Sequence, residues 1–209
     1  MNYDSVCGEA ESVTVIEKSK FVCYLKGIDS ESEAKEFVES VRKKNSLATH
    51  NCYAYIADEK GLVQKFSDDG EPQGTAGLPM LEVLKNQKIY KTVAVVTRYF
   101  GGIKLGTGGL CRAYSGAVCE CLKKCVVKTN KPARFFVLET DYAGYAKVLP
   151  VVKGKAVIAG TKFSDGVKVN FVVDENSAES FILALTDTLQ GNLDLTETKR
   201  GYYSFDKNS

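Results

Sequence analysis

The sequence predicts an α+β protein built from two domains, residues 1–131 and residues 132–209. Through the first part of the chain, strand-like runs of apolar residues alternate with segments of helical spacing. A turn-rich segment, Thr129-Asn130-Lys131-Pro132, then interrupts the pattern as a linker does. After it the pattern restarts in the order β-α-β-β-α-β, the plan of ferredoxin-like domains. That plan serves many functions, so function has to be argued from the sites.

The clearest helix of the first domain follows Ser30. Ser30 is the expected N-cap residue, and Glu33 stands at the third helical position, as in a capping box. Apolar residues then recur at helical spacing at Ala34, Phe37, Val38 and Val41. A short helix is predicted at Leu78–Asn86 and a further helix at Gly109–Lys124. Strands are predicted at Ser12–Glu17, Lys20–Ile28, Asn51–Ala57, Leu62–Phe66, Lys91–Arg98 and Cys125–Thr129.

The second domain carries two predicted helices between strands. The helices are Tyr142–Val152, interrupted by Pro150, and a segment capped by Asn176 or Ser177 that runs to Gln190. Gly191 then ends the second helix. The predicted strands are Arg134–Thr140, Lys155–Phe163, Val167–Val173 and Leu193–Phe205.

Composition excludes several classes of protein. The 209 residues are 44% hydrophobic and 26% charged, as in ordinary soluble globular proteins. No apolar run approaches the roughly 20 residues that span a bilayer. The first residues show no basic segment followed by an apolar one, so a cytoplasmic protein without membrane contact is expected. The net charge of only +2 requires any nucleic-acid site to be a local patch.

Cysteine and histidine usage argues against a metal centre. The seven cysteines include no CxxC pair, and they are interpreted as small buried apolar residues in a reducing compartment. The single histidine, His50, is more typical of a structural hydrogen-bonding residue than of a catalyst. A zinc site or a Ser-His-Asp triad would depend on this one residue, so a hydrolase is disfavoured. No catalytic residue and no cofactor are predicted.

The most informative segment runs from Arg98 to Tyr114 and holds five glycines and three cations. A glycine-rich turn that leads into a helix N-terminus directs backbone N–H groups at one point, which favours an anion. It is neither a P-loop, because Thr107 stands where lysine is required, nor a dinucleotide-binding fingerprint, because Cys111 replaces the third glycine. The predicted anion or nucleic-acid contacts are Arg98, Gly101, Gly102, Lys104, Gly106, Thr107, Gly108, Gly109 and Arg112. A tight turn that only packs helix on sheet is the alternative.

A second group of residues is expected to support this site. Asp68, Asp69 and Glu71 lie in a Gly- and Pro-rich segment, where they could orient Arg98 and Lys104, bind Mg²⁺, or simply bond a turn. His50, Thr75, Tyr99 and Tyr114 complete the supporting set. Exposed aromatic rings beside cations suit single-stranded RNA, and the candidates are Tyr53, Tyr55, Tyr99, Phe100 and Tyr114. The alternative for Tyr53 and Tyr55 is packing on one face of a sheet.

Three motifs in order resemble the signature of the IMPACT family, the YigZ/YvyE-type group. They are Thr49-His50-Asn51-Cys52-Tyr53-Ala54-Tyr55, then Asp68-Asp69-Gly70-Glu71-Pro72 with Gly74-Thr75-Ala76-Gly77 and Pro79-Met80-Leu81, then Val96 to Gly102 with Lys104 to Leu110 and Arg112-Ala113-Tyr114. The resemblance covers about residues 15–125 strongly. It implies a first domain like domain 2 of ribosomal protein S5 and a second domain similar to the last domain of elongation factor G.

The resemblance also implies a role in translation. Eukaryotic relatives act in translational control through an N-terminal RWD domain that this sequence does not show, so their kinase-pathway role is not carried over. The leading hypothesis is a non-enzymatic regulator that binds RNA or the ribosome through the glycine-rich cationic site. The alternatives are an enzyme or sensor that binds a phosphorylated small molecule or nucleotide there, and a protein–protein interaction module.

Overall fold

A computed structural model describes residues 2–205, which divide into two compact units. One unit is Tyr3–Lys128, and the other begins at Thr129. The helices of the first unit are α1 (Glu31–Lys44), α2 (Gly77–Asn86) and α3 (Gly106–Leu122). Its strands are β1 (Tyr3–Val6), β2 (Glu9–Ile16), β3 (Ser19–Gly27), β4 (His50–Ile56), β5 (Gln64–Ser67) and β6 (Thr92–Tyr99).

An antiparallel sheet with strand order β2-β3-β6-β4-β5 forms the centre of the first unit. The central strand β6 is buried on both faces from Thr92 to Arg98, as its valine-rich sequence indicates. Helix α1 packs on one face against Val93 and Val95. Helices α2 and α3 pack on the other face against Ala94 and Val96. Because side chains alternate along a strand, Arg98 lies on the same face as Val96, toward α2 and α3.

Helix α1 begins where its local sequence predicts. The Ser30 hydroxyl accepts a hydrogen bond from the Glu33 backbone N–H at 3.2 Å, and the Glu33 carboxylate accepts one from the Asp29 N–H at 2.9 Å. The buried residues of the helix are Ala34, Phe37, Val38 and Val41, as predicted. This part of the fold is therefore specified within one segment of the chain.

We predict that Ser30→Ala lowers the free energy of unfolding by about 1 kcal/mol, because it removes the side-chain acceptor for an N–H of the first turn. Urea denaturation measures the change. Ser32→Ala is the matched control. Among residues 2–205 the Ser32 hydroxyl bonds only the exposed Glu36 carboxylate, and its removal is expected to change stability by less than about 0.5 kcal/mol. Equal effects of the two substitutions would contradict the capping role.

The elements of the second unit are β7 (Val127–Thr140), α4 (Tyr142–Val152), β8 (Val157–Phe163), β9 (Val167–Asp174), a short 3₁₀ turn (Glu175–Ser177), α5 (Ala178–Thr188) and β10 (Asp194–Ser204). The strands form an antiparallel sheet with the order β10-β7-β9-β8. Helices α4 and α5 contribute Val148, Phe181 and Leu185 to a core with Leu138 and Phe171 of the sheet. The mixed arrangement of sheets and five helices in residues 2–205 is that of an α+β protein.

Two predictions about the chain path are corrected. The predicted linker Thr129–Pro132 lies inside the continuous strand β7, because β10 pairs with it from Asn130 to Glu139. The ladder with β9 begins at Ala133, so Pro132, which lacks an N–H, is not needed as a donor there. Strand β1 was not predicted; backbone hydrogen bonds from Asp4 to Lys88 and from Tyr90 to Asp4 hold it. The division into two domains, residues 1–131 and 132–209, stays a prediction.

Candidate functional site

Arg98 and Glu71 form a buried ion pair at the end of the central strand. Nη1 of Arg98 donates to Oε1 of Glu71 at 2.7 Å, and the two side chains are only 6% and 3% exposed. The guanidinium carbon of Arg98 lies 5.4 Å and 5.3 Å from the ring centroids of Phe21 and Phe100. Nη2 reaches the Ser19 hydroxyl at 3.4 Å. The Nε–H of Arg98 is buried and has no partner among residues 2–205.

Glu71 collects further contacts on the same oxygen. The Tyr114 hydroxyl, from the buried face of α3, donates to Oε1 at 2.7 Å. Burial raises the pKa of Tyr114 above its usual value, so this hydroxyl stays a neutral donor. Nε2 of His50 lies 3.9 Å from Oε1. Every hydrogen bond that Glu71 receives through its side chain from residues 2–205 thus ends on Oε1, and Oε2 receives none.

The backbone fixes the orientation and the tautomer of His50. Nδ1 of His50 is 2.8 Å from the carbonyl oxygen of Asp69. A carbonyl can only accept, so we assign the proton of the neutral ring to Nδ1. Nε2 then carries a lone pair. It lies beside Glu71 and Arg98, at the edge of a cavity that His50 helps to line. Neutral His50 is therefore a hydrogen-bond acceptor at this site.

The acidic loop, which carries Asp68, Asp69 and Glu71, presents the Glu71 carboxylate to the site. The other two carboxylates hold the loop in its conformation. Asp68 accepts hydrogen bonds from the N–H groups of Gly74, Ala76 and Gly77, at 2.8, 3.0 and 2.8 Å. These bonds close the loop and satisfy N–H groups where α2 begins. The Thr75 hydroxyl donates to the Pro72 carbonyl at 2.6 Å. Asp68 and Thr75 are thus engaged in loop structure.

Asp69 is placed differently from the prediction that it orients Arg98 or Lys104. Its carboxylate accepts from the Asn51 N–H at 2.6 Å and from Nη2 of Arg42 at 3.0 Å. Its backbone lies in the left-handed region, with φ of 44°. This turn leaves Glu71 as the only acidic residue of the three that contacts Arg98 within the described chain. No group of three or more His, Cys, Asp or Glu side chains in residues 2–205 is placed to hold a metal ion.

The glycine-rich segment approaches the sheet closely before α3 begins. The Gly101 N–H donates to the Ser19 hydroxyl at 3.1 Å, and a Cβ atom at Gly101 would lie 2.1 Å from the carbonyl carbon of Lys18. Gly102 and Gly106 have positive φ values of 86° and 68°. Helix α3 starts at Gly106, three residues before its predicted start, so Thr107, Gly108 and Gly109 form its first turn. No side chain caps this N-terminus.

A cavity of about 460 Å³ lies between the acidic loop, the end of β6 and the N-terminus of α3. It brings together the predicted residues His50, Glu71, Arg98, Lys104, Gly106 and Thr107. Its other lining residues are Thr49, Pro72, Phe100, Leu105 and Leu110. Gly101, Gly102, Gly108, Gly109 and Arg112 do not line it, although they flank it in sequence. A cavity of this size lies within the range of small-molecule sites, roughly 300–1,000 Å³.

The aromatic residues do not form the predicted stacking surface. Tyr53 and Tyr55 stack on each other at 6.1 Å on the face that α1 covers, and the Tyr99 hydroxyl bonds Asn45 on that face. Tyr114 is fully buried. The alternation of Tyr53 and Tyr55 along β4 thus reflects packing. Phe100, 47% exposed, is the ring that remains at the cavity.

Two residues that contribute to the site, Thr49 and Ser19, were not predicted from the sequence. The Thr49 hydroxyl accepts from the Phe100 N–H at 3.2 Å and so fixes the segment after β6. Ser19 contacts both Arg98 and Gly101. Thr49 directly precedes His50 in the first motif, which could have indicated it. Ser19 is the first residue of β3, directly after the tight turn from β2, and carries no signal of its own in the sequence.

Cysteines supply no exposed nucleophile to this site. All seven are free thiols, and Cys52, the cysteine on β4 nearest His50 in sequence, is fully buried. Burial raises the pKa of Cys52, so its thiol stays protonated.

Within the described chain, no helix is long and apolar enough to cross a bilayer.

Comparison with known proteins identifies relatives along nearly the whole chain. The Impact N-terminal domain model matches residues 17–122. IMPACT family member YvyE of Bacillus subtilis is 41% identical over 202 residues, which cover 96% of this chain and 93% of YvyE. IMPACT family member YigZ of Escherichia coli is 38% identical, with 89% and 94% covered. A crystal structure of a hypothetical protein aligns over 95% of this chain and 98% of its own, with 32% identity and a TM-score of 0.62. The chain belongs to the IMPACT family.

Proposed function

We propose that this protein binds a phosphate-bearing ligand in the cavity between Arg98 and the N-terminus of α3. The observation that carries the proposal is that the start of α3, the exposed Lys104 and Arg98 line the same cavity. The first turn of α3 has no capping side chain, and the buried Nε–H of Arg98 has no partner in residues 2–205. Helix N-termini attract anions, and a buried donor without a partner costs about 1–3 kcal/mol.

The charges around the cavity favour an anion. Arg98 is neutralised by Glu71, whereas Lys104 is exposed and forms no ion pair within residues 2–205. Lys104 and the positive end of the α3 dipole therefore leave the mouth electropositive. The cavity volume of about 460 Å³ suits one phosphorylated metabolite or one mononucleotide. Because Arg98 is buried, the site suits a compact ligand better than an extended strand. Binding or sensing without catalysis is proposed.

A second candidate function is binding of RNA or the ribosome by a cytoplasmic, translation-associated regulator. The exposed ring of Phe100 beside Lys104 favours it, since bases stack on aromatic rings while phosphates pair with cations. In that case one nucleotide would occupy the cavity, and Arg112, exposed on α3, would contact a neighbouring phosphate.

We also propose a fold class for each of the two units. Strand order β10-β7-β9-β8, with helices after the first and third strands of the unit, supports a ferredoxin-like second domain similar to the last domain of elongation factor G. The first unit is proposed to belong to the class of ribosomal protein S5 domain 2. An open antiparallel sheet with helices on both faces is compatible with that class.

We predict that Lys104→Ala weakens binding of a phosphate ligand about tenfold, because one charge-assisted contact contributes about 1.5–3 kcal/mol. Thermal-shift screening of mononucleotides and phosphorylated metabolites would find a ligand, and calorimetry would measure its affinity. Lys60→Ala, which removes an exposed lysine from the loop after β4, is the control and should leave affinity unchanged. The proposal fails if no phosphate compound stabilises the protein.

Co-sedimentation with ribosomes across a salt series tests the second candidate. The variant is Lys104→Ala with Arg112→Ala, which leaves the buried Arg98–Glu71 pair intact. Binding that weakens steeply with salt and is lost in this variant supports the RNA or ribosome role. Binding that is unchanged in the variant would place the ribosome contact elsewhere on the protein.

A further inference from the structure

The cavity presents hydrogen-bond acceptors as well as donors, which restricts the ligand that the proposed function requires. Nε2 of neutral His50 carries a lone pair, because Nδ1 donates to the Asp69 carbonyl. Oε2 of Glu71 receives no hydrogen bond from residues 2–205, whereas Oε1 receives two. Both residues line the cavity. A bare phosphate placed there would satisfy the donors and leave these acceptors facing its own oxygens.

The two acceptors are close enough to act on one part of a ligand. Nε2 of His50 lies 3.9 Å from Oε1 of Glu71, and the free oxygen Oε2 belongs to the same carboxylate, so one part of a ligand can reach both residues. A fully ionised phosphate oxygen has no proton to donate and would be repelled by the carboxylate. The part of the ligand beside His50 and Glu71 must therefore carry O–H or N–H groups.

The charge around Glu71 decides whether the ligand group beside it is an ammonium or a neutral hydroxyl. Glu71 is already paired with Arg98 at 2.7 Å, and both side chains are almost completely buried. An ammonium group would add a second cation next to that pair in a poorly solvated place. A neutral hydroxyl adds no charge, and Glu71 already accepts from one, that of Tyr114. A hydroxyl is therefore the better match.

The donors and acceptors sit on different elements around one volume. Gly106 and Thr107 lie at the start of α3 and Lys104 just before it, whereas His50 lies at the start of β4 and Glu71 in the acidic loop. We infer that the cavity takes a phosphate monoester with a hydroxyl group on a carbon next to the phosphate-bearing carbon, as in polyol phosphates, sugar 1-phosphates and the ribose of a 3′-nucleotide. Its phosphate contacts α3 and Lys104, and its hydroxyl donates to His50 or Glu71.

The inference rests on the proposed function and is tested separately from it with two matched ligands. Glycerol 3-phosphate and propyl phosphate have the same charge and similar size, and only the first carries hydroxyl groups. Calorimetric titration of the full chain should give a tenfold or greater preference for glycerol 3-phosphate. A site that hydrogen-bonds a ligand hydroxyl discriminates against the analogue that lacks it.

The variant His50→Ala tests whether the preference for glycerol 3-phosphate arises in this cavity. It should reduce the ratio of the two affinities toward one, and this ratio cancels any loss of binding that the two esters share. The ligand comparison on the wild-type chain does not depend on the folding of this variant. Equal affinities, or tighter binding of propyl phosphate, would overturn the inference and leave the proposed function standing. If inorganic phosphate and both esters fail to bind, the proposed function fails together with the inference.

Discussion

Replacement of Glu71 by alanine is expected to lower the free energy of unfolding by about 3–5 kcal/mol, among the largest effects of any single substitution in this chain. The Glu71 side chain is 3% exposed, and it neutralises Arg98, which is 6% exposed. Its removal leaves a guanidinium buried without a counter-charge and deprives the Tyr114 hydroxyl of its acceptor.

Urea denaturation of Glu71→Ala measures this effect, and Glu82→Ala is the matched control. Glu82 pairs with Lys85 on the surface of α2, where both side chains are more than 40% exposed. Exposed pairs of this kind contribute about 0–1 kcal/mol, so the control should be nearly neutral. A double variant that replaces Arg98 by methionine as well should recover part of the loss. Similar small losses for Glu71→Ala and Glu82→Ala would show that the Arg98–Glu71 pair is not buried as described.

Substitution of Gly101 by alanine is expected to cost about 3 kcal/mol or more, because it forces the backbone after β6 away from the sheet. A Cβ atom there would lie 2.1 Å from the carbonyl carbon and 2.2 Å from the carbonyl oxygen of Lys18. These are backbone atoms of a tight turn and cannot rotate aside. The displacement would also break the bond from the Gly101 N–H to Ser19.

Gly116→Ala is the control for this prediction. Gly116 lies inside α3, and a Cβ atom there meets no atom within 4 Å. Alanine is favoured over glycine in a helix by about 0.5–1 kcal/mol, so this variant should be more stable than wild type. Opposite signs for the two Gly→Ala changes in thermal and urea denaturation are the expected result. Destabilisation by Gly116→Ala of the same size as by Gly101→Ala would contradict the steric explanation.

Local features of the fold could be predicted from the sequence, and features that depend on strand pairing could not. Ser30 and the apolar face of α1 lie within one segment, so capping and spacing were sufficient. The strand β7 was divided in the prediction because Thr129–Pro132 resembles a linker. Its continuity depends on pairing with Asp194–Ser204, from 55 residues away (Glu139 with Asp194) to 74 residues away (Asn130 with Ser204) in sequence.

The same difference between local and long-range features holds for the candidate site. The motifs identified His50, Glu71, Arg98 and Lys104, all of which line one cavity. Their roles were harder to predict, since Arg98 beside a glycine-rich segment resembles an exposed phosphate contact. Its alternation with Ala94 and Val96 along β6 does indicate a buried position. The pairing of Arg98 with Glu71 joins residues 27 apart and depends on how Asp68 and Asp69 fold the acidic loop.

The most direct test of the central claim is an NMR titration of the ¹⁵N-labelled chain with glycerol 3-phosphate, followed through the backbone amides. Binding at the proposed site should shift the resonances of Gly106, Thr107 and Gly108, whose N–H groups form the uncapped first turn of α3, together with that of Lys104. The same titration of Lys104→Ala should require about tenfold more ligand. Saturable shifts confined to other residues, or no shifts at millimolar ligand, would contradict a phosphate site at this helix.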